Sequence, residues 1–207
     1  MTKAKYVIGI TGGSGSGKTS IVHRIRDHFN ENELCILSQD NYYIPREQQQ
    51  IDENGIQNFD LPESIDLDVF VKDVKTLMSG ESIKLQEYVF NNELKEAGTL
   101  VYHPAPVILV EGLFVYHDKR MRELFDYKFF VDAPEDVKLI RRIKRDRVER
   151  NYPLDDVLYR FEHHVTPSYV QYILPYKPQC DMIINNTYSY DKGIDILSSF
   201  IKSKIID

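Results

Sequence analysis

Gly12-Gly13-Ser14-Gly15-Ser16-Gly17-Lys18-Thr19 decides how this 207-residue chain is read. Gly12, Gly17, Lys18 and Thr19 fill every fixed position of the phosphate-binding pattern G-x-x-x-x-G-K-[ST]. Residues without bulky side chains let successive backbone N–H groups curl around an oxyanion. A helix that follows aims its positive end at the same anion. Lys18 adds a mobile charge for the outer phosphates, and the Thr19 hydroxyl is placed to ligate Mg²⁺. The flanks agree with this. Residues 6–11 form an apolar, β-rich run, and Ile21, Val22, Ile25 and Phe29 recur at helical spacing. A flexible Gly/Ser linker would not be clamped between a buried strand and an amphipathic helix.

Outward from the loop, strands and helices alternate. Strands are expected at 6–11, 34–38, 107–111, 128–132 and 181–185, most of them continuous apolar runs suited to a sheet covered on both faces. A helix with Leu67, Phe70, Val71, Val74, Leu77 and Met78 on one face is entered through Pro62-Glu63-Ser64 and left at Gly80. Val137, Ile140 and Ile143 mark another helix after Pro134. Leu154, Val157, Leu158, Phe161 and Val165 mark a third, stopped near Pro167, and Ile194, Leu197, Phe200, Ile201 and Ile205 mark the last. The alternation predicts an α/β fold: a five-stranded parallel sheet with helices on both faces, a three-layer P-loop sandwich in one domain over 1–207. Residues 41–60 read as a loop. Residues 83–87 and 99–102 read as the arms of a small β-hairpin.

Composition narrows the class. A net charge of −6 argues against a general nucleic-acid binder, whose phosphate partner demands a basic face. Cys35 and Cys180 lie in or beside apolar runs without metal-ligand spacing, so two buried, reduced thiols are expected. No signal peptide or membrane-length run is visible, which predicts a cytoplasmic protein with no membrane partner.

Ligands of open α/β sheets bind at the carboxyl ends of strands. Asp40, Glu111 and Asp132 stand there. A carboxylate facing a phosphate loop can hold Mg²⁺ or accept the proton of an attacking hydroxyl. Glu111 fits the first role and Asp40 the second. Asp132, just before Pro134, reads as a helix cap. The run Arg141-Arg142-Ile143-Lys144-Arg145-Asp146-Arg147-Val148-Glu149-Arg150 concentrates positive charge, and Arg142 and Arg145 share a helix face. It is either a solvated surface paired with Asp146 and Glu149 or a set of cations closing over a nucleotide.

Together these residues resemble the uridine kinase family of P-loop kinases. The resemblance runs from Tyr6 to about Asn186, through the glycine loop, Ser38-Gln39-Asp40-Asn41-Tyr42-Tyr43, Asn58-Phe59-Asp60-Leu61-Pro62, Glu111-Gly112, Phe130-Val131-Asp132 and the arginine run. It implies ATP-dependent phosphorylation of a nucleoside 5′-hydroxyl, with uridine or cytidine as the default acceptor. ATP and Mg²⁺ are the implied cofactors. GTP stays open, since no residue singled out reads adenine against guanine. By the same resemblance, residues 12–19 hold the triphosphate, Asp40 is the general base and a metal-side acid, and Asp60 holds the ribose hydroxyls. Arg142 serves ribose and phosphate, Arg145 and Arg150 are lid arginines near the ATP phosphates, and Tyr43, Phe59, Tyr88 and Phe90 line the nucleoside pocket. The hairpin covers the acceptor, the lid spans about 141–155, and a homo-oligomer, tetramer or dimer, is implied.

Two departures cluster on the acceptor base. The family's Tyr-x-Phe-x-x-His run reads Tyr88-Val89-Phe90-Asn91-Asn92-Glu93 here, so an acid replaces a donor. Its Arg-Gly-Arg reads Arg150-Asn151-Tyr152. A site built to hydrogen-bond one base rejects another strongly. A different nucleoside or another hydroxyl compound is therefore a second reading. A nucleotide-dependent switch is a third, weakened by the lack of an Asn-Lys-x-Asp segment.

Overall fold

The computed structural model describes residues 3–90 and 97–206. Five strands, β1 (Tyr6–Thr11), β2 (Leu34–Ser38), β5 (Val107–Glu111), β6 (Tyr127–Asp132) and β7 (Met182–Asn185), form a sheet in the order β2-β5-β1-β6-β7. Every pairing is parallel. Strand side chains alternate between two faces, and the sequence fills both with apolar groups. Val7, Leu37, Ile108, Val110 and Phe130 point to one face, where Phe70, Val71, Val74 and Leu77 of α2 (Leu67–Ser79) cover them. Ile8, Ile10, Ile36, Leu109 and Val131 point to the other. There α1 (Lys18–Arg26) brings Ile21, Val22 and Ile25, and α7 (Asp191–Ile206) brings Ile194, Leu197 and Ile201. Each of these buried side chains contributes roughly 1.5–3 kcal/mol of transfer free energy, so the two apolar layers, not helix propensity, hold α1 and α7 in place. Strands β3 (Ile83–Gln86) and β4 (Thr99–Tyr102) pair antiparallel as a separate hairpin. A short helix, α3 (Lys119–Arg122), and the long α4 (Glu135–Glu149) flank β6.

Four expectations are corrected. Helix α2 does not begin at Pro62-Glu63-Ser64, which forms its own 3₁₀ turn; it begins after Asp66, whose carboxylate accepts the Val69 N–H at 3.0 Å. The cap is a side-chain device and overrides the proline signal. The helix that opens with α5 (Leu154–Arg160) does not stop at Pro167. It continues through a π turn (Phe161–Val165), the short α6 (Thr166–Ser168), a second π turn (Tyr169–Ile173) and a 3₁₀ segment ending at Gln179. Proline lacks the N–H that a regular α-turn needs, and the wider i→i+5 register on both sides accommodates it. Asp132 is not a cap: α4 has no side-chain cap at its start, and Asp132 accepts from Lys177 Nζ at 2.7 Å. Cys35 is buried, whereas Cys180 is only half-buried. Both are free thiols, and burial pushes each up to about 12. Among the described residues no helix is long and apolar enough to cross a membrane.

Candidate active site

Strand β1 lies at the centre of the sheet, so the chain leaves its carboxyl end into the glycine loop between β5 and β6. The loop needs glycine where side chains would collide. Gly15 (φ 80°) and Gly17 (φ 97°) lie in left-handed backbone, where a Cβ would run into the Lys138 carbonyl and the Asn186 amide. Asn186 Nδ2 donates to the Ser16 carbonyl at 2.8 Å and fixes the loop from the β7 side. Lys18 is buried and folds back, its Nζ donating to the Gly12 carbonyl at 3.0 Å. Burial lowers its pKa, while the charges of Glu111 and Asp40 oppose that shift.

Register places the acids. Ser38 on β2 and Ile10 on β1 both stand opposite Glu111, the last residue of β5. The Ser38 hydroxyl donates to Glu111 Oε1 at 2.5 Å. Burial, with the Asp40 charge added, pushes the Glu111 carboxyl up to about 7, against the pull of Lys18 and Ser38. Asp40 sits in the 3₁₀ turn Gln39–Tyr42, which is held by two bonds. Ser38 Oγ accepts the Asp40 N–H at 3.3 Å, and buried Gln39 Oε1 accepts the Phe114 N–H at 2.8 Å. Gly112 has no side chain because a Cβ there would strike Gln39. The end of β5, which carries Glu111, and the turn after β2, which carries Asp40, are thus locked together.

Over this floor stands α4. Arg142, 6 % exposed, donates to Ser14 Oγ at 2.8 Å and faces both Asp60 oxygens at 3.4 and 3.5 Å. Asp146, 2 % exposed, gathers three arginines: Arg145 at 2.8 Å, Arg142 at 3.1 Å and Arg150 at 3.5 Å. Burial raises its pKa, but these guanidinium groups outweigh that and lower it overall. The arginine run is therefore not simply a solvated surface, since Arg142 and Asp146 are buried. Asp146 pairs with the arginines, and it aims them inward.

The far end of the cleft is aromatic. Tyr88 and Phe90 have ring centroids 4.8 Å apart, Tyr43 lies 5.3 and 5.2 Å from them, and Phe59 lies 6.3 Å from Tyr43. Arg150 covers the Phe90 ring with its Cζ 4.2 Å from the centroid. Asn41, next to Asp40, ties the hairpin down: its Nδ2 donates to Tyr102 OH at 3.2 Å and its Oδ1 accepts the Tyr88 N–H at 3.3 Å.

One cleft of about 1020 Å³ collects Ser14, Gly15, Gly17, Lys18, Thr19, Asp40, Tyr43, Phe59, Asp60, Tyr88, Phe90, Glu111, Arg142, Arg145, Arg150 and Tyr152. Gly12, Gly13 and Ser16 do not line it; they belong to the buried wall behind the loop. Glu93, with Asn91, Asn92 and Lys95, lies outside the described residues. Tyr152 faces the cleft with Arg160 Cζ 5.4 Å over its ring, and Asn151 before it takes a left-handed φ of 53°, where the family pattern has glycine. The sequence reading missed Arg46, Arg160 and His23, which also line the cleft, and the positioning roles of Ser38, Gln39 and Asn186. Ser38 and Gln39 stood inside a quoted motif. His23 and Arg160 lie on helices read from their apolar faces alone, and Arg46 and Asn186 belong to no motif.

The residues fit a magnesium–nucleotide complex. Thr19, Ser38, Asp40 and Glu111 offer hard oxygen ligands. Burial first, and the Asp40 charge second, raise the Glu111 carboxyl. Among the described residues no three His, Cys, Asp or Glu groups converge to hold a metal unaided. A cation here would share phosphate oxygens and waters, as Mg²⁺ does.

A glycine loop after a central strand, acids at the neighbouring strand ends and an arginine helix above them define a P-loop kinase. A profile of the Phosphoribulokinase / Uridine kinase family matches residues 7–191, and the chain belongs to that family. It is similar to the uridine kinase of Lactococcus lactis subsp. cremoris (strain MG1363), with 36% identity over 205 residues, covering 99% of this chain and 100% of that one. It is likewise similar to the uridine kinase of Limosilactobacillus reuteri (strain DSM 20016), with 35% identity over 204 residues, covering 99% and 94%. Among solved structures, the phosphoribulokinase from Rhodobacter spheroides superposes with a TM-score of 0.60 at 16% identity, covering 89% of this chain and 71% of that one. At that identity the likeness concerns the fold alone.

Proposed function

We propose that the chain transfers the γ-phosphoryl group of ATP to the 5′-hydroxyl of a nucleoside, uridine or cytidine by default, giving the monophosphate in pyrimidine salvage. One observation carries this reading. One cleft collects the glycine loop with Lys18 and Thr19, the carboxylate of Asp40, and the aromatic residues Tyr43, Phe59, Tyr88 and Phe90 with Asp60. Relatives that span the whole chain are uridine kinases.

In this reading Asp40 orients the 5′-hydroxyl and accepts its proton, a step contributing about 10²–10⁴-fold. The hydroxyl oxygen attacks the γ-phosphorus and ADP leaves. Lys18, Arg142 and Arg145 neutralise charge on the transferring group, and Arg150 closes the lid side. Asp60 takes the ribose hydroxyls. Its 3.4–3.5 Å separation from Arg142 is long for an ion pair and leaves room for that exchange. Tyr43, Phe59, Tyr88 and Phe90 stack on the base. Thr19, Glu111 and Asp40 would hold Mg²⁺, which would neutralise phosphate charge. Residues 1–207 act as one kinase unit, with the hairpin at about 83–102 as acceptor cover and the lid at about 141–155. The protein works in the cytoplasm as a homo-oligomer and needs neither nucleic acid nor membrane.

The test is a panel of nucleosides and other hydroxyl acceptors with Mg·ATP and Mg·GTP, scored by nucleoside diphosphate release. Turnover with pyrimidine nucleosides is expected. None with any nucleoside would sink the reading. A second reading, another acceptor on the same machinery, draws on Tyr152 in the cleft wall and Glu93 in the sequence. A panel that favours a non-pyrimidine acceptor would select it.

A further inference from the structure

Three side chains of the helical stretch that opens with α5 close on the loop 51–57, His164 and Tyr159 outside the cleft and Arg160 at its wall. His164, 3 % exposed, places Nε2 2.7 Å from Asp52 Oδ2. Tyr159 OH donates to the same oxygen at 2.8 Å and itself accepts from Asn54 Nδ2 at 2.7 Å. Arg160 NH1 donates to the Gln57 carbonyl at 2.6 Å. The other Asp52 oxygen accepts the Asn54 and Ile56 N–H groups, each at 2.9 Å, and Ile51 bridges Gln57, so the loop is also closed on itself.

The π turn makes this grip geometrically feasible. At 3.6 residues per turn, side chains five apart, such as Tyr159 and His164, diverge by about 140° around a helix. The wider i→i+5 turn at Phe161–Val165 brings both to one carboxylate. Among the described residues the buried His164 Nδ1 has no hydrogen-bond partner, so the ring is held through Nε2. Ionised Asp52 makes each bond charge-assisted. Desolvation raises its pKa, but the Ile56, His164, Tyr159 and Asn54 bonds outweigh that and hold it below the usual carboxylate range.

The clasped loop runs directly into Asn58-Phe59-Asp60, and the same helical stretch brings Val157 and Arg160 to the cleft wall. Among the contacts that hold the segment carrying Phe59 and Asp60, the one inside the cleft, Asp60 to Arg142, is long at 3.4–3.5 Å, and the one outside it, Asp52 to His164, is short at 2.7 Å.

We propose that Asp52, Tyr159 and His164 form a positioning clasp for the acceptor site, holding Phe59 and Asp60 where a nucleoside meets them. The proposal rests on reading the aromatic end of the cleft as the acceptor end. The test compares Tyr159→Phe and His164→Ala with His164→Gln, whose amide reaches the same carboxylate oxygen. The KM for uridine, or for the acceptor the panel identifies, should rise about tenfold in the first two, the loss of one charge-assisted bond. The KM for ATP should not follow it, backbone amides of 51–57 should exchange faster, and His164→Gln should restore both readouts. Unchanged exchange, a joint rise of both KM values, or His164→Gln behaving like His164→Ala would overturn the clasp. A wild type that turns over no nucleoside would overturn the acceptor reading instead. The exchange measurement needs no substrate and separates the two failures.

Discussion

In the proposed function the cleft has a phosphate end and an acceptor end, and the two are built in opposite ways. The phosphate end is made largely from contiguous chain: residues 12–19 supply the backbone cradle, Lys18 and Thr19. The acceptor end is made from pieces that meet only in space: Tyr43 after β2, Phe59 and Asp60 after a clasped loop, Tyr88 and Phe90 beyond β3, and Arg150 beyond α4. A contiguous site needs the right residues at the right spacing. A dispersed one also needs every supporting segment held in register, which is where Asn41, Gln39 and Asp52 come in. Damage at the phosphate end should therefore strike kcat and ATP, and damage at the acceptor end should strike acceptor KM.

The largest effect is expected between the two ends. Asp40→Asn should lower kcat by about 10²–10⁴-fold with ATP affinity intact. Near-normal single-turnover rates would remove Asp40 as the base. Lys18→Ala should cost about 10²–10³-fold in kcat, the scale of one positioned transition-state donor, and weaken ATP binding as well. Calorimetry showing wild-type ATP affinity would contradict the grip. Arg150→Ala removes the cation over Phe90, and a contact of about 0.5–2 kcal/mol predicts a roughly two- to thirtyfold rise in acceptor KM. A pure ATP effect would move Arg150 to the phosphate end.

Smallest is a pH effect. Glu111 has a folded pKa near 7 against a usual 4.5, so its protonated form is favoured by folding. In divalent-free buffer its contribution to stability is present below pH 4.5 and is lost as pH rises through about 7. The melting temperature should fall over that window in the wild type and stay flatter in Glu111→Gln. Parallel curves would mean that Glu111 is not the titrating group.

Legibility followed the same division. The parallel sheet could be read because β1, β2 and β5 are apolar on both faces, and a strand covered on one side alone would alternate. The errors arose where a side chain far away replaced a local signal. Asp66 caps α2 after a proline that suggested an earlier start. Lys177, 45 residues along, captures the Asp132 carboxylate. The π turns carry a helix past Pro167. Arg46 and Arg160 gave no periodic or motif signal, because their position depends on how loops and helices pack.

By itself the sequence determined the glycine loop, the two-faced strands and the strand-end acids, since each is a matter of residue type at short spacing. Only the tertiary structure decided that Asp146 turns three arginines inward, that Ser38 and Gln39 lock Glu111 to Asp40, and that His164 and Tyr159 hold the loop before Asp60. Those are contacts between residues far apart in the chain, or between charges whose partners burial selects. They exist only once the apolar layers have closed and left each buried polar group to find the partner within reach.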